Sequence, residues 1–276
     1  MKKFLSAALA AIMMLSLLAV FAGCGKTADD TKSTGDAKNS ESSDNTTEPT
    51  SKGKVKTAAE GKLTMATNAY FKPYEYYDGE DIVGIDAEIA KAVADKLGLE
   101  LVINDMAFDS IISEVNAGKA DIGLAGMTVT EDRLKEVDFT VSYANGVQSV
   151  IVTEDSDIKS VDDLDGKKIG TQQGTTGDSY CTEDYGDNVT SYVTGNEAVS
   201  ALLGGSIDAV VIDNEPAKAY VASNKGLKIL DTEYANEDYA ACVAKGNSEL
   251  LDALNSAITD LIADGTIDSI VSKYIK

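Results

Sequence analysis

The sequence predicts an α/β protein of two similar lobes with a ligand cleft between them. Three observations carry this. Strand-like and helix-like stretches alternate across residues 63–124, an order that favours a parallel sheet with helices on its faces. A weak internal repeat relates residues 114–124 to residues 199–211, each reading as a helix, a glycine stop and an Asp that leads a buried strand. Polar residues gather where both strands end: Gly126, Thr128, Thr130 and Arg133 after the first, Asp213, Asn214 and Glu215 after the second. Ligands sit at the carboxyl ends of strands in α/β sheets.

The chain begins with a basic pair, Lys2 and Lys3, an apolar run from Phe4 to Phe21, and small residues. Residues 1–23 therefore read as a secretory signal peptide. The ending Phe21-Ala22-Gly23-Cys24 resembles a bacterial lipobox, with Phe21 in place of the usual Leu. That resemblance implies lipidation of Cys24 and anchoring at the outer face of the cell membrane. A transmembrane anchor is the competing reading, but the run is barely long enough and no basic stop-transfer cluster follows. Residues 25–59 are rich in Thr, Ser, Asp, Asn and Lys and read as a flexible tether. Such a tether lets the domain reach a membrane partner.

The folded part opens with a strand at residues 63–67, followed by an aromatic loop. Tyr70, Phe71, Tyr74, Tyr76 and Tyr77 lie within eight residues, and such a loop is either a binding wall or a satellite core. Ile85, Ile89, Val93 and Leu97 recur at a four-residue spacing, and Gly98 sits where a C-cap glycine belongs. A strand at 99–104 follows, then a helix after Phe108 and Asp109 with Ile111, Ile112 and Val115 inward, closed by Gly118.

The stretch 120–133 starts as a buried strand and turns polar. Thr offers a hydroxyl that donates and accepts, Gly permits close approach, and Arg presents a fork matched to a carboxylate. The alternative is that Thr130 caps a short helix bearing an exposed Arg133. Strands are expected at 137–143 and 148–153, and a Ser-capped short helix at 160–164. Residues 167–178 read as strand, glycine turn and helix start, either an anion site or a plain turn. The spacing Gly-x-x-x-x-Gly-Lys-Ser/Thr is missing, so this is no nucleotide loop. Asp213, ahead of Pro216, is a site residue or a first-turn helix residue. Residues 250–262 and 267–275 form packing helices separated by Asp264-Gly265.

Loss of Lys2 and Lys3 with the signal takes the formal charge from −22 to −24. So acidic a chain argues against nucleic acid and anionic membranes as partners. It has no His and no Cys-x-x-Cys spacing, so neither a metal nor any other cofactor is expected.

Taken in order, residues 68–76, Val83-Gly84-Ile85-Asp86, residues 125–133, Val137-Asp138-Phe139, Gly174-Thr175-Thr176-Gly177, Val211-Ile212-Asp213 and Ala263-Asp264-Gly265-Thr266 resemble extracellular solute-binding protein family 3. These are the solute-binding proteins of polar amino acid ABC transporters. The resemblance covers essentially all of residues 63–276. It implies the type II periplasmic-binding fold, with lobe 1 at 60–144 and 241–276, lobe 2 at 145–240, and two extended crossings between them. It implies a monomer that takes an amino acid and hands it to a membrane permease. Arg133 would pair the ligand α-carboxylate, helped by the amides of Thr128 and Thr176. The Gly126 carbonyl, the Thr128 hydroxyl and Asp213 would hold the α-ammonium. Phe71 and Phe108 would sandwich the aliphatic part of the side chain, and Asn68 and Gln172 would read its end. Ala125 and Thr175, in the same motifs, complete the implied set. The family often has Asp where this chain has Asn68, so one buried negative partner is missing there.

The two thiols left after Cys24, Cys181 and Cys242, either form a bridge worth ~4 kcal/mol or stay separate and buried. An enzyme on the same fold, a dehydratase acting on a small carboxylate, is the alternative function. The absence of His and of a Gly-x-Ser-x-Gly elbow argues against it. A sensor module is the third class, and no transmembrane or signalling segment follows Lys276.

Overall fold

The computed structural model describes residues 55–275. The stretch read as a signal peptide, Cys24 and most of the stretch read as a tether lie outside the described residues. The fold begins slightly earlier than expected. Val55 packs on the first core, and the Ala58 amide donates to Asp121 Oδ1 at 2.6 Å. Among the described residues no helix is long and apolar enough to cross a membrane.

Two sheets form the two lobes, and both are mixed where a parallel sheet was expected. The first contains β1 (Lys62–Thr67), β5 (Glu100–Asp105), β6 (Ile122–Gly123), β7 (Val137–Phe139) and β14 (Cys242–Ala244), in the order β5-β1-β6-β14-β7. Strand β1 runs parallel to β5 and β6, whereas β14 is antiparallel to β6 and β7. The second contains β8 (Ala144–Thr153), β9 (Ile169–Gln172), β10 (Val189–Tyr192), β11 (Ala209–Asp213) and β12 (Leu227–Ile229), ordered β10-β9-β11-β8-β12. Here β9, β10 and β11 are parallel, and β8 is antiparallel to β11 and β12.

The chain crosses between sheets twice, along β8 and along β13 (Ala235–Tyr239). The crossings pair antiparallel, from Ala235 opposite Gln148 to Tyr239 opposite Ala144.

Helices cover both faces of each sheet. In α1 (Ile85–Leu97), Ile85, Ile89 and Val93 are buried, and Gly98 ends the helix in the left-handed conformation at φ 69°, as its spacing predicts. With α7 (Ser248–Ala263) and α8 (Thr266–Tyr274) this helix closes one core, and α2 (Ile111–Asn116) helps close the other. In the second lobe α4 (Thr176–Tyr185) covers one face, while α5 (Gly195–Leu203) and α6 (Asn214–Ser223) cover the opposite one. Along β8, Val150 and Val152 enter one core and Ile151 the other, the two-residue alternation of a strand buried on both faces.

The internal repeat has a structural cause. Asp121 Oδ2 accepts from the Thr64 amide at 2.7 Å while the Asp121 amide donates to the Thr64 carbonyl at 2.8 Å. Asp208 does the same to Lys168, with both bonds at 2.8 Å. In each lobe an Asp clamps the start of the neighbouring parallel strand.

Two expectations are corrected. The aromatic stretch is no loop but part of an antiparallel sheet, β2 (Tyr70–Phe71), β3 (Glu75–Asp78) and β4 (Asp81–Val83). Its inner ring, Tyr74, is buried against Phe71 and Tyr239. The bridge weighed for Cys181 and Cys242 does not form: both thiols are free and buried. Cys181 lies in a core of the second lobe and Cys242 in a core of the first. Burial pushes each thiol up to about 12, so both act as small apolar fillers.

Candidate ligand-binding cleft

The strand ends of both sheets face one another across a single cleft. Asn68 follows β1, while Ala125, Gly126 and Thr128 follow β6. Phe71 comes from β2, Phe108 from the turn before α2, and Arg133 opens α3 (Arg133–Glu136). From the other lobe come Gln172 at the end of β9, Thr175 and Thr176 at the start of α4, and Asp213 at the end of β11. All of the ligand-binding residues selected from the sequence therefore line one cavity.

Arg133 serves both of the readings weighed for it. The N-cap of the short helix is Asp132 rather than the expected Thr130, although the Arg133 amide donates to Thr130 Oγ1 at 3.2 Å. Its guanidinium donates to the Thr128 carbonyl at 2.8 Å and, across the cleft, to the Gly174 carbonyl at 3.0 Å. The guanidinium carbon stands 5.3 Å from the centre of the Phe108 ring, within cation–π range. Burial pulls its pKa below the ordinary value while the charge of Glu237 pushes back. A guanidinium stays charged regardless.

Asp213 is also doubly employed. Its Oδ1 accepts from the Glu215 amide at 3.0 Å, capping α6. Its Oδ2 accepts from the Tyr239 hydroxyl at 2.7 Å and the Val147 amide at 3.1 Å. Burial pushes this carboxyl up to about 6 against those three bonds.

Thr128 donates its hydroxyl to Glu237 Oε2 at 2.9 Å, an oxygen that also accepts from Gln148 Nε2 at 3.0 Å. With its proton committed, the Thr128 oxygen keeps lone pairs to accept from a ligand. Gly126 sits at φ 53°, and a Cβ there would lie 2.8 Å from the Phe71 ring, so both backbone and space call for glycine. Gln172 Nε2 donates across the cleft to Asn68 Oδ1 at 2.9 Å, and Asn68 Nδ2 donates to the Met106 carbonyl at 2.7 Å. Thr175 caps α4, accepting from the Asp178 amide at 3.2 Å, and so turns a helix N-terminus toward the cleft.

The cavity also contains Glu75, Gln148, Ile212 and Tyr239, which sequence reasoning missed. Glu75 is wholly buried, and neither carboxyl oxygen has a protein hydrogen-bond partner of normal geometry among the described residues. Burial, and then the charge of Asp86, push it well above the usual carboxylate range. Asp86, also wholly buried, accepts from the Gly126 amide at 2.7 Å and the Tyr143 hydroxyl at 2.8 Å through one oxygen. Burial raises Asp86 to about 6. An acid between Tyr74 and Tyr76 in an aromatic run was the available signal for Glu75. Gln148 and Tyr239 carried none, because the pairing of the two crossings brings them in.

Two α/β lobes that meet around facing strand ends, joined by paired crossings, define a type II periplasmic-binding fold. The chain belongs to the bacterial extracellular solute-binding proteins, family 3, whose model matches residues 63–276. It is 34% identical over 218 residues to the arginine-binding extracellular protein ArtP of Bacillus subtilis (strain 168), covering 77% of this chain and 86% of that protein. An ancestral arginine-binding protein solved with arginine is 41% identical, with a TM-score of 0.74 over 78% of this chain and 99% of that one. An ancestral arginine-binding protein solved with glutamine is 40% identical, with a TM-score of 0.75 over 79% and 99%.

Proposed function

We propose that this protein captures a cationic amino acid, arginine foremost, in its interlobe cleft and passes it unchanged to an ABC permease. One observation carries the reading: Arg133 and Asp213 face one cavity from opposite lobes, with the buried Glu75 carboxyl in the same cavity. A buried zwitterion needs both ends paired, and Arg133 and Asp213 supply the two charges. Arg133, with the amides of Thr128 and Thr176, takes the α-carboxylate. Asp213, the Gly126 carbonyl and the Thr128 hydroxyl take the α-ammonium. Phe71 and Phe108 flank the aliphatic stem, and Asn68 and Gln172 meet the side-chain end.

Asn68 lacks the negative charge a guanidinium requires, and Glu75, kept protonated in the unliganded protein by burial and the charge of Asp86, supplies it by losing its proton when the cation arrives. The arginine-binding relatives support this choice, and the relative holding glutamine is consistent with a main-chain site that tolerates a neutral end. Binding without chemistry fits a cleft in which Asp213 is engaged by a helix cap and by both crossings. The lobes are taken as 60–144 with 241–276 and 145–240, moving as a monomer about β8 and β13.

Calorimetric titration of the mature protein with arginine, lysine and glutamine tests the reading, with mass spectrometry of the recovered ligand. Arginine should bind tightest and return unaltered. Ligand at a hundred times its Kd should add about 2.7 kcal/mol of stability. Failure to bind any α-amino acid, or recovery of a product, overturns it.

Anchoring at the outer face of the cell membrane through a lipid on Cys24 belongs to the same proposal. Cys24→Ser is expected to release the protein into the medium. A variant that resists high-salt washing of the membranes is held by another anchor.

A further inference from the structure

The geometry points to Tyr239 as the positioning residue of the ammonium subsite: its hydroxyl, brought in by the returning crossing, holds the Asp213 carboxylate in place for the ligand. The inference rests on the site reading above and goes one layer beneath it.

Tyr239 is the last residue of β13, and the first lobe fixes its backbone. Its carbonyl accepts from the Tyr143 amide at 3.0 Å and from Ser142 Oγ at 2.9 Å, and it forms a β-bridge with Thr128. Its ring is 1% exposed and meets Tyr74 edge-on, with centroids 5.4 Å apart and planes at 75°. Asp213 belongs to the sheet of the other lobe. The 2.7 Å bond from the Tyr239 hydroxyl to Asp213 Oδ2 therefore joins a residue anchored in one lobe to the acid of the other. It is the shortest of the three bonds that Asp213 accepts.

The crossing strand β8 leaves room for this contact. A Cβ on Gly146 would stand 2.2 Å from the Tyr239 hydroxyl and 2.8 Å from Asp213 Oδ2. The glycine is needed for the space it leaves, since a side chain there would drive phenol and carboxylate apart.

The chemistry explains why a donor is needed. Burial disfavours the charged form of Asp213, and Glu215 on α6 adds a like charge. Asp213 also acts electrostatically on Tyr74 and on Glu75 of β3. Against these, the phenol and the two amides favour the carboxylate. Burial and the charge of Asp213 hold the Tyr239 hydroxyl well above its usual range, so it remains a donor at any working pH. It has no lone role in binding; it keeps its neighbour charged and aimed.

Titration of arginine into the parent and Tyr239→Phe between pH 5 and 8 tests this. Arginine affinity of the parent should fall as pH drops through about 6, where Asp213 protonates, with the titration of Glu75 common to parent and variant. Tyr239→Phe should bind roughly tenfold more weakly at pH 7, with its fall beginning at higher pH because a bond that favours the carboxylate is gone. Gly146→Ala, which displaces the hydroxyl without removing it, should move the profile in the same direction. A Tyr239→Phe protein that binds within threefold of the parent over the whole range overturns the inference. So does a uniform loss with no movement of the pH profile, which is the mark of a merely structural role. If the parent binds no α-amino acid the inference falls with the site reading, and the parent's own failure tells the two apart.

Discussion

Arg133→Ala is expected to cost roughly 3–5 kcal/mol of arginine binding, about two to four decades in affinity. The loss has two sources. The ligand carboxylate loses the one fully ionised donor aimed at it and stays buried unpaired, which accounts for most of the cost. The guanidinium also ties the lobes together, from the Thr128 carbonyl on its own side to the Gly174 carbonyl opposite, so the closed form loses a direct contact. Stability of the unliganded protein should change little, because the side chain is part-exposed and stacks on Phe108 rather than filling a core. Calorimetry on the variant decides it. Binding within threefold of the parent means that another group holds the carboxylate.

Glu75→Gln should separate the ligands. Arginine affinity should fall on the order of a hundredfold, since a buried guanidinium loses its opposite charge, while glutamine affinity should hold or improve. The unliganded variant should at the same time be more stable than the parent at neutral pH. Burial holds the folded-state pKa of Glu75 well above its ordinary 4.5. Such a group contributes stability that is present below the unfolded value and is lost as pH rises through the folded one. Gln escapes that loss, and its amide can donate to the Asp86 carboxylate as the protonated Glu75 does. The difference in Tm should therefore widen from pH 4.5 to pH 8. A parent that melts above the variant at pH 8 would show that Glu75 is satisfied in the unliganded fold. The same acid then works for binding and against folding, as at many preorganised sites.

Much of this was legible in the sequence because it is local. The four-residue spacing from Ile85 and the glycine at 98 specify α1 and its end without outside help. The repeat was readable because each Asp acts on a strand of its own lobe in an equivalent place. The site residues were readable because strand ends collect them in short, dense motifs. Arg133 and Asp213 show why the competing readings could not be separated: Arg133 opens a short helix and Asp213 caps another, and each also lines the cleft, so neither reading excluded the other. The remainder was not legible because long-range pairing sets it. Strands β2 to β4, each of two to four residues, are too short for an alternation to register. Tyr239 and Gln148 reach the cleft, and Glu237 reaches Thr128 behind it, only because β13 lies beside β8, across nearly ninety residues of chain. The thiols were undecidable because a strand and a helix of separate lobes look equally able to meet.

The paired crossings also govern how the lobes can move. Two strands locked from Ala235–Gln148 to Tyr239–Ala144 form a ribbon that flexes and twists readily yet resists sliding lengthwise. A one-residue slip would turn Glu237 and Tyr239 onto the opposite face and dismantle the contacts to Thr128 and Asp213. A ribbon of fixed register therefore favours rotation of the lobes over sliding. Every cycle returns the same side chains to the same stations, and the grip is rebuilt by the geometry of the ribbon and not searched for anew.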